Sequence, residues 1–328
     1  MLNPKVKKGE VKESLRPVEP QDARELNRAS RLPVIVWLVL CLIWGSTWLF
    51  IKIGLEDLPP FSFAGVRFVI ASSLLLALAF IRRTPLPRDR RDWLHLAVTG
   101  VLAFTINYGL VFWGEQYVSS GLAALLQAMI PVFGLIIAHF YLPGERITLL
   151  KVAGVLLSIA GLAVIFANQV TVSGRMALWG SAALVLSAAA GAYSNVLVKA
   201  HGGHIDRVAL AGWQMVFGLV PLLVIGAFTE GNLFSFNWTA RAWVAVFYLA
   251  IVGSALAFFL YYWLINRMDV TTTMLIALVT PLVAVTLGII ILGEQLTWRI
   301  AVGGASILGG IALITIRRSP ARRLKRVK

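Results

Sequence analysis

Cysteine and charged residues are scarce in this sequence. The 328 residues include one cysteine, Cys41, so an internal disulfide and a metal site built from several thiolates are both impossible. Only 14% of the residues are charged, whereas 59% are hydrophobic and the mean hydropathy is +0.81. A soluble domain needs a more polar surface than this composition supplies. No glycine-rich phosphate loop ending in Gly-Lys-Ser or Gly-Lys-Thr occurs, which argues against coupling to ATP.

The sequence instead contains many long apolar stretches. Each has about 20 residues, enough for a helix to cross a hydrocarbon core of about 30 Å. We therefore predict an all-α, polytopic membrane protein with ten transmembrane helices in the lipid bilayer. The predicted spans are 34–54, 61–81, 94–114, 119–141, 150–168, 177–198, 207–229, 242–264, 271–292 and 299–316.

The positions of the basic residues predict the orientation. The net charge of +15 does not indicate nucleic-acid binding, because the sequence has no soluble domain to carry a binding face. With the N-terminus inside, 25 of the 30 Lys and Arg residues fall in cytoplasmic segments, as the positive-inside rule requires. We therefore expect both termini to face the cytoplasm, with residues 1–33 as a disordered basic tail and 317–328 as a second basic tail.

An internal repeat is the most informative pattern. Residues 127–161 resemble residues 278–310 in the order of their landmarks, which are 149 or 150 positions apart. The matched landmarks are Pro131 with Pro281, Gly144-Glu145 with Gly293-Glu294, Thr148 with Thr297, Gly154 with Gly303, and Gly161 with Gly310. We predict two five-helix repeats, 34–168 and 177–316. Five is odd, so the second repeat is inverted, an arrangement typical of alternating-access transport.

Charges inside the predicted spans are few. Arg67 lies six residues into the second span, where it could meet an anionic group of a substrate, pair with Glu115 or have a structural role. Lys52, nearer a span end, is expected to extend toward the interface. Carboxylates are absent from the span centres, and Glu145 and Glu294 are interpreted as parts of structural hairpins.

Uncharged polar and aromatic side chains within the spans predict a central cavity. Prolines midway along the fourth and ninth spans remove backbone hydrogen bonds at matching depths, as broken helices at midplane sites do. We expect no cofactor and no metal, and interpret the His201 and His204 pair as part of a plain loop. The candidate substrate-binding residues are Trp44, Trp48, Arg67, Asn107, Tyr108, Gln127, Tyr193, Asn195, Trp213, Gln214, Tyr261 and Thr280, with Pro131 and Pro281 as candidate gating positions.

Several of these features together resemble the EamA-type carriers of the drug/metabolite transporter superfamily. They are Trp44-Gly45-Ser46-Thr47, the stretch from Pro60 to Arg67, the two proline-containing helices and the two Gly-Glu hairpins. The resemblance implies a basket of ten helices around a central cavity, with export or exchange of amino acids, related metabolites or toxic compounds. The seventh helix has Trp213-Gln214 where the second has Arg67, so a symmetric role for the arginine is not implied.

The sequence therefore favours a secondary transporter of small organic metabolites, and two alternatives stay open. A membrane-embedded enzyme would need a cluster of catalytic groups in one membrane layer, which the sequence does not indicate. A scaffold or sensor would be expected to carry a soluble signalling domain, and the tails are too short for one. The substrate, the direction of transport, the coupling ion and the oligomeric state are not predicted.

Overall fold

A computed structural model describes residues 20–118, 120–165, 167, 174–292 and 297–315, and their side chains from residue 31 onward except at 14 scattered positions. These residues form helices, turns and short connections, and no strand occurs among them. The helices are α1 (Pro20–Leu55), α2 (Pro60–Ile81), α3 (Arg90–Gly100), π1 (Val101–Asn107), α4 (Tyr108–Gly114), α5 (Ser120–Gln127), α6 (Ile130–Tyr141), α7 (Leu149–Ile165), α8 (Arg175–His201), α9 (Arg207–Thr229), α10 (Ala240–Ala250), π2 (Ile251–Leu256), α11 (Ala257–Ile265), α12 (Val270–Met274), α13 (Ile276–Leu292) and α14 (Trp298–Thr315).

Helices fall within all ten predicted spans, but they differ in length. Among the described residues, six segments are long and apolar enough to cross a membrane, namely Arg31–Leu55, Pro60–Ile81, Arg90–Gly114, Arg175–His201, Arg207–Thr229 and Ala240–Ile265. Four further apolar segments are shorter when only the residues with described side chains are counted, namely Leu125–Tyr141, Leu149–Ile165, Val270–Val283 and Ala301–Ile314. The all-α polytopic class is confirmed, whereas the count of ten crossings stays a prediction.

The first helix begins well before the predicted span. Residues 20–33 were expected to be disordered, but α1 already starts at Pro20. Proline is well tolerated in the first turn of a helix, and the helix-forming residues Ala23, Arg24, Glu25 and Leu26 follow it. Residues 1–19 and 317–328, and the Gly293-Glu294 hairpin, lie outside the described residues.

The fourth and ninth spans are each interrupted, although not at equivalent places. In the fourth, α6 begins at Ile130, directly before Pro131. In the ninth, the interruption falls at Leu275, six residues before Pro281, which lies inside α13. Pro281 therefore lies within a continuous helix, and the gating role of the two prolines stays a prediction.

Helices from the two halves of the chain pack against each other throughout. The helix α7 packs on α14, α2 on α9, α1 on α13 and α6 on α8. Where α7 crosses α14, Gly154 faces Gly310 and Gly161 faces Gly303, and a Cβ built at Gly161 would lie 2.5 Å from the Gly303 carbonyl oxygen. Small residues allow this close approach of the backbones. Two clusters of buried apolar side chains, each with residues from both halves, thus join the halves.

Candidate functional site

A cavity of about 150 Å³ lies between helices of both halves. The first half contributes residues from α1, π1, α4, α5 and α6, and the second from α8, α11, α12 and α13. No Asp, Glu, Lys, Arg or His side chain is among the lining residues. These are Trp44, Thr47, Trp48, Ile51, Ala103, Asn107, Tyr108, Val111, Gln127, Ile130, Gly191, Asn195, Phe258, Tyr261, Thr273, Met274, Ile276, Ala277 and Thr280.

Eight of the twelve candidate substrate-binding residues line this cavity. They come from seven separate helices, so the fold brings together positions that are far apart in sequence. The eight are Trp44, Trp48, Asn107, Tyr108, Gln127, Asn195, Tyr261 and Thr280. Their role in binding a substrate stays a prediction.

Aromatic rings form one wall of the cavity. The ring of Trp44 lies 5.1 Å from Tyr261 and 5.6 Å from Phe258, measured between centroids. Tyr108 faces Phe258 at 6.2 Å in an edge-on arrangement. Such offset and edge-on pairs are the favoured geometries for aromatic side chains, so this wall is a packed surface rather than a loose lining.

The Gly253 carbonyl group, in π2, ties this wall to Arg67. It accepts hydrogen bonds from Trp44 Nε1 at 3.2 Å and from Arg67 Nη2 at 3.2 Å, while Arg67 Nε donates to Ser254 Oγ at 2.7 Å. The Arg67 side chain is only 1% exposed and does not line the cavity. Its guanidinium carbon lies 5.0 Å from the centroid of Tyr108, a cation–π contact. Arg67 thus lies directly behind two lining residues, Trp44 and Tyr108.

Polar groups that line the cavity are held by neighbouring helices. Gln127 Nε2 donates to Ser187 Oγ at 2.5 Å and to the Leu184 carbonyl oxygen at 3.3 Å. Asn107 lies against Gly191, where a Cβ would come within 2.2 Å of Asn107 Nδ2. Position 191 therefore has to be glycine for the Asn107 side chain to keep its place.

The two prolines act on carbonyl groups at the cavity. Because proline has no N–H, Pro131 cannot donate to the carbonyl of Gln127, and Pro281 cannot donate to that of Ala277. Gln127 and Ala277 both line the cavity. The Thr280 hydroxyl, at 3.4 Å, partly replaces the missing donor at Ala277. The prolines themselves lie behind the lining.

Three further candidates lie away from the cavity. The Tyr193 hydroxyl contacts the Tyr141 hydroxyl at 3.2 Å. Trp213 packs edge-on against Trp93 at 5.0 Å, and its buried Nε1 has no hydrogen-bond partner. Gln214 Nε2 donates to the Thr99 hydroxyl. The structure thus groups Tyr193, Trp213 and Gln214 with helix packing rather than with the cavity.

The aliphatic and small lining residues were not predicted, because only polar and aromatic side chains within the spans indicated a cavity. A helical-face rule would have found several of them. Trp44, Thr47, Trp48 and Ile51 follow the i, i+3, i+4, i+7 spacing of one helix face. Thr273, Ala277 and Thr280 follow the same spacing in the ninth span. The same spacing relates Gly191 to Asn195 and Met274 to Ala277.

The hairpin glutamate and the histidine pair have specific partners. The contacts of Glu145 are not confined to its own hairpin. Its carboxylate accepts hydrogen bonds from the first residues of α12, in the other half of the chain. His204 pairs with Asp92 at 3.0 Å, and the ring of His201 stacks on His95 at 4.5 Å. Across the described ranges, no three His, Cys, Asp or Glu side chains are grouped as metal ligands.

Comparisons with known proteins agree with this architecture. A solved crystal structure matches with a TM-score of 0.74 and 20% sequence identity, covering 90% of this chain and 99% of that chain, which shows a shared fold. The inner membrane transporter YedA of Escherichia coli K12, called uncharacterized, is 32% identical over 278 residues, covering 84% of this chain and 88% of the relative. The uncharacterized transporter YoaV of Bacillus subtilis is 28% identical over 274 residues, with 84% and 93% covered.

A plant protein extends this set of relatives. The WAT1-related protein At3g02690 of Arabidopsis thaliana, described as chloroplastic, is 29% identical over 287 residues, covering 85% of this chain and 69% of the relative. The profile of the EamA-like transporter family matches the chain twice, over residues 31–167 and 178–316. Because these two matches include most of the chain, the protein belongs to the EamA-like transporter family of the drug/metabolite transporter superfamily, and it is an integral transporter of the cell membrane.

Proposed function

We propose that this protein is a secondary carrier that exports or exchanges amino acids or related small metabolites by alternating access. In this proposal the chain crosses the membrane ten times as two inverted repeats, with both termini in the cytoplasm. The observation that carries the proposal is a cavity lined by residues of both halves of the chain. A relative movement of the halves would open such a cavity first to one face of the membrane and then to the other.

The chemistry of the lining supports the substrate class. Amide and hydroxyl groups of Asn107, Asn195, Gln127 and Thr280 supply donors and acceptors, while aromatic rings supply apolar contact. An amphipathic solute fits this combination. Neutral and aromatic amino acids are therefore the first candidates.

A second feature supports the internal symmetry. The π-helical segments begin at Val101 and Ile251, 150 positions apart, which is also the offset between Pro131 and Pro281. Cavity residues follow both segments, Tyr108 directly after π1 and Phe258 two residues after the end of π2. Segments of π-helix are frequent at functional sites. Their equivalent positions favour equivalent roles in the two repeats.

Counterflow in proteoliposomes tests the proposal. Vesicles are preloaded with a pool of unlabelled amino acids and other metabolites, and labelled tracers are added outside. We expect tracers of neutral or aromatic amino acids to accumulate above the level of protein-free vesicles. Absence of exchange over a broad panel, from protein shown to be folded, would contradict the carrier function.

A pair of substitutions assigns the exchange to the cavity. Asn107→Ala removes a lining amide, and we expect it to slow exchange about tenfold, the effect of losing roughly 1.4 kcal/mol of hydrogen bonding. Trp213→Phe is the matched control, since Trp213 lies outside the lining and its Nε1 makes no hydrogen bond. Equal loss of exchange in both variants would contradict the assignment of the cavity as the substrate site.

A further inference from the structure

The short helix α12 lies at one end of the cavity. Thr273 and Met274, on this helix, line the cavity, whereas Ile51 lines it near the other end of α1. Trp37 Nε1 donates to the carbonyl oxygen of Thr272 at 3.1 Å, which places α12 at the level of Trp37. Ile51 is 14 residues further along α1, roughly 21 Å away at 1.5 Å per residue. The α1 side chains that line the cavity run from Trp44 to Ile51, so α12 meets the cavity from the Trp37 side of this row.

The carboxylate of Glu145 holds the start of α12 from the other half of the chain. One oxygen accepts from the Val270 N–H at 2.7 Å, and the other accepts from the Thr271 hydroxyl at 2.8 Å and the Thr271 N–H at 3.4 Å. The Glu145 side chain is only 7% exposed. Hydrogen bonds to a buried carboxylate are stronger than those between neutral groups, so this contact is a strong link between the halves.

Two further contacts secure the same region. The ammonium group of Lys199, on α8, donates to the Ile265 carbonyl oxygen and, at 3.0 Å, to that of Met268. Lys199 also interacts electrostatically with Glu145. On the other side, Gly134 of α6 lies against Met274, where a Cβ would come within 2.1 Å of the sulfur. The start of α12 and the loop before it are thus held by charges of opposite sign.

Resting on the carrier function proposed above, we propose that Glu145 is a positioning residue that closes the α12 end of the cavity. The helix has five residues and is separated from α13 by the interruption at Leu275. It can therefore move without breaking the hydrogen bonds of α13. Release of the Glu145 carboxylate frees Val270 and Thr271, and the wall formed by Thr273 and Met274 then swings away from the cavity.

A second glutamate provides a matched control. Glu230 accepts hydrogen bonds from the backbone N–H groups of Phe61 at 2.7 Å and Ser62 at 2.8 Å, at the start of α2. It is thus also a carboxylate that caps a helix of the other half. The helix α2 contributes no lining residue to the cavity. Loss of the Glu230 contact should weaken packing without opening the cavity.

The experiment measures access to the cavity from each face of the membrane. In a Cys41→Ala background, Ala277→Cys places a single thiol in the lining one turn beyond α12, and a membrane-impermeant thiol reagent is added to one face at a time. We expect Glu145→Gln to raise the labelling rate from the α12 face about tenfold, the population shift produced by losing a charged hydrogen-bond acceptor. Glu230→Gln should leave that rate unchanged.

The outcomes separate this proposal from its alternatives. An unchanged labelling rate in Glu145→Gln, or an equal rise in Glu230→Gln, would overturn it. Thr271→Val removes the hydroxyl donor while keeping Glu145, so it should raise labelling in the same direction, and it serves as the test if Glu145→Gln does not fold. Labelling does not depend on transport, so a failure of the counterflow experiment is distinguishable from a failure of the Glu145 assignment.

Discussion

Arg67 carries a charge within the helix bundle, and neutral oxygens of Ser254 and Gly253 accept its hydrogen bonds. In the described part of the chain, the ion pairs involve other residues, such as Arg241 with Glu56. The sequence indicated that a charge at this depth needs a partner, because an unpaired charge in a membrane is costly. It could not identify Ser254 as that partner, since 187 positions separate the two in the chain. Glu115, the carboxylate considered from sequence, does not supply the contact.

The raised pKa of Glu115 predicts that the stability of the protein depends on pH. It follows the end of α4, where burial raises the pKa of its carboxyl to about 8 although nearby Lys52 lowers it. Between the usual pKa of about 4.5 and this value, the folded protein keeps a proton that the unfolded chain has lost. We therefore expect the free energy of unfolding to fall as the pH rises from about 5 to 8.

Thermal unfolding in detergent over this pH range checks the expectation. Glu115→Gln should flatten the decline, because glutamine does not titrate. Glu56→Gln is the control, since Glu56 is exposed and pairs with Arg241. A decline that stays the same in Glu115→Gln would show that another group causes it.

Single residues of the cavity were predictable to the extent that their chemistry is distinctive. Trp44 and Asn107 stand out in apolar spans, and both line the cavity. Trp213 and Gln214 stand out equally, but they pack between helices instead. Polarity within a span indicates that a side chain faces protein rather than lipid. Whether it faces a cavity or a neighbouring helix depends on the rotation of each helix, which the sequence does not specify.

At the level of elements, apolar length and turn residues predicted the helices but not their irregularities. The predicted ends of the second and seventh spans agree with α2 and α9 to within one residue. The interruption at Leu275 has no proline at its position, and π1 and π2 contain no residue type that forces a wide turn. These features depend on tertiary contacts, such as the two donors that converge on Gly253.

The crossing of α7 and α14 gives a test of packing with an internal control. A Cβ at position 310 would lie 2.3 Å from the Gly154 carbonyl oxygen and 2.2 Å from Ser158 Oγ. The backbone at Gly154 cannot shift easily to make room for this Cβ. We therefore expect Gly310→Ala to reduce stability by about 1–3 kcal/mol, the usual cost of overpacking.

The adjacent glycine supplies the comparison. At Gly309 the nearest atom, Leu157 Cδ2, is 3.9 Å from the built Cβ, which is ordinary van der Waals contact. Alanine favours the helix by about 1 kcal/mol over glycine, so Gly309→Ala should leave stability unchanged or raise it. Thermal unfolding of both variants measures these two changes in stability. Equal changes would contradict the described crossing of α7 and α14.

For the whole molecule, the charge distribution predicts where the termini lie. An even number of crossings puts both on one face, and the basic segments assign that face to the cytoplasm. We expect a fluorescent protein that folds only in the cytoplasm to be bright when fused to either terminus of the full chain. A bright fusion at one end and a dark one at the other would require an odd number of crossings and would contradict the inverted repeats.

The class of the whole molecule was the most predictable property. Composition and apolar length alone indicated a polytopic helical membrane protein, because the hydrocarbon core allows few other structures. The landmarks from Pro131 to Gly161 and their partners indicated a repeat, and the family profile also matches twice. The packing of α1 on α13 and of α2 on α9 was not predictable, because the arrangement of helices within a bundle leaves little trace in one sequence.

The pairing of α7 with α14 also has a consequence during synthesis. The glycine face of α7, with Gly154 and Gly161, has its partner about 150 residues later in the chain, in Gly303 and Gly310. At 5–20 residues per second, a ribosome needs roughly 7 to 30 seconds to make that stretch. During this interval the first half is already in the membrane with the α7 face uncovered. Lipid, the insertion machinery or a chaperone must cover it until the last helix leaves the ribosome.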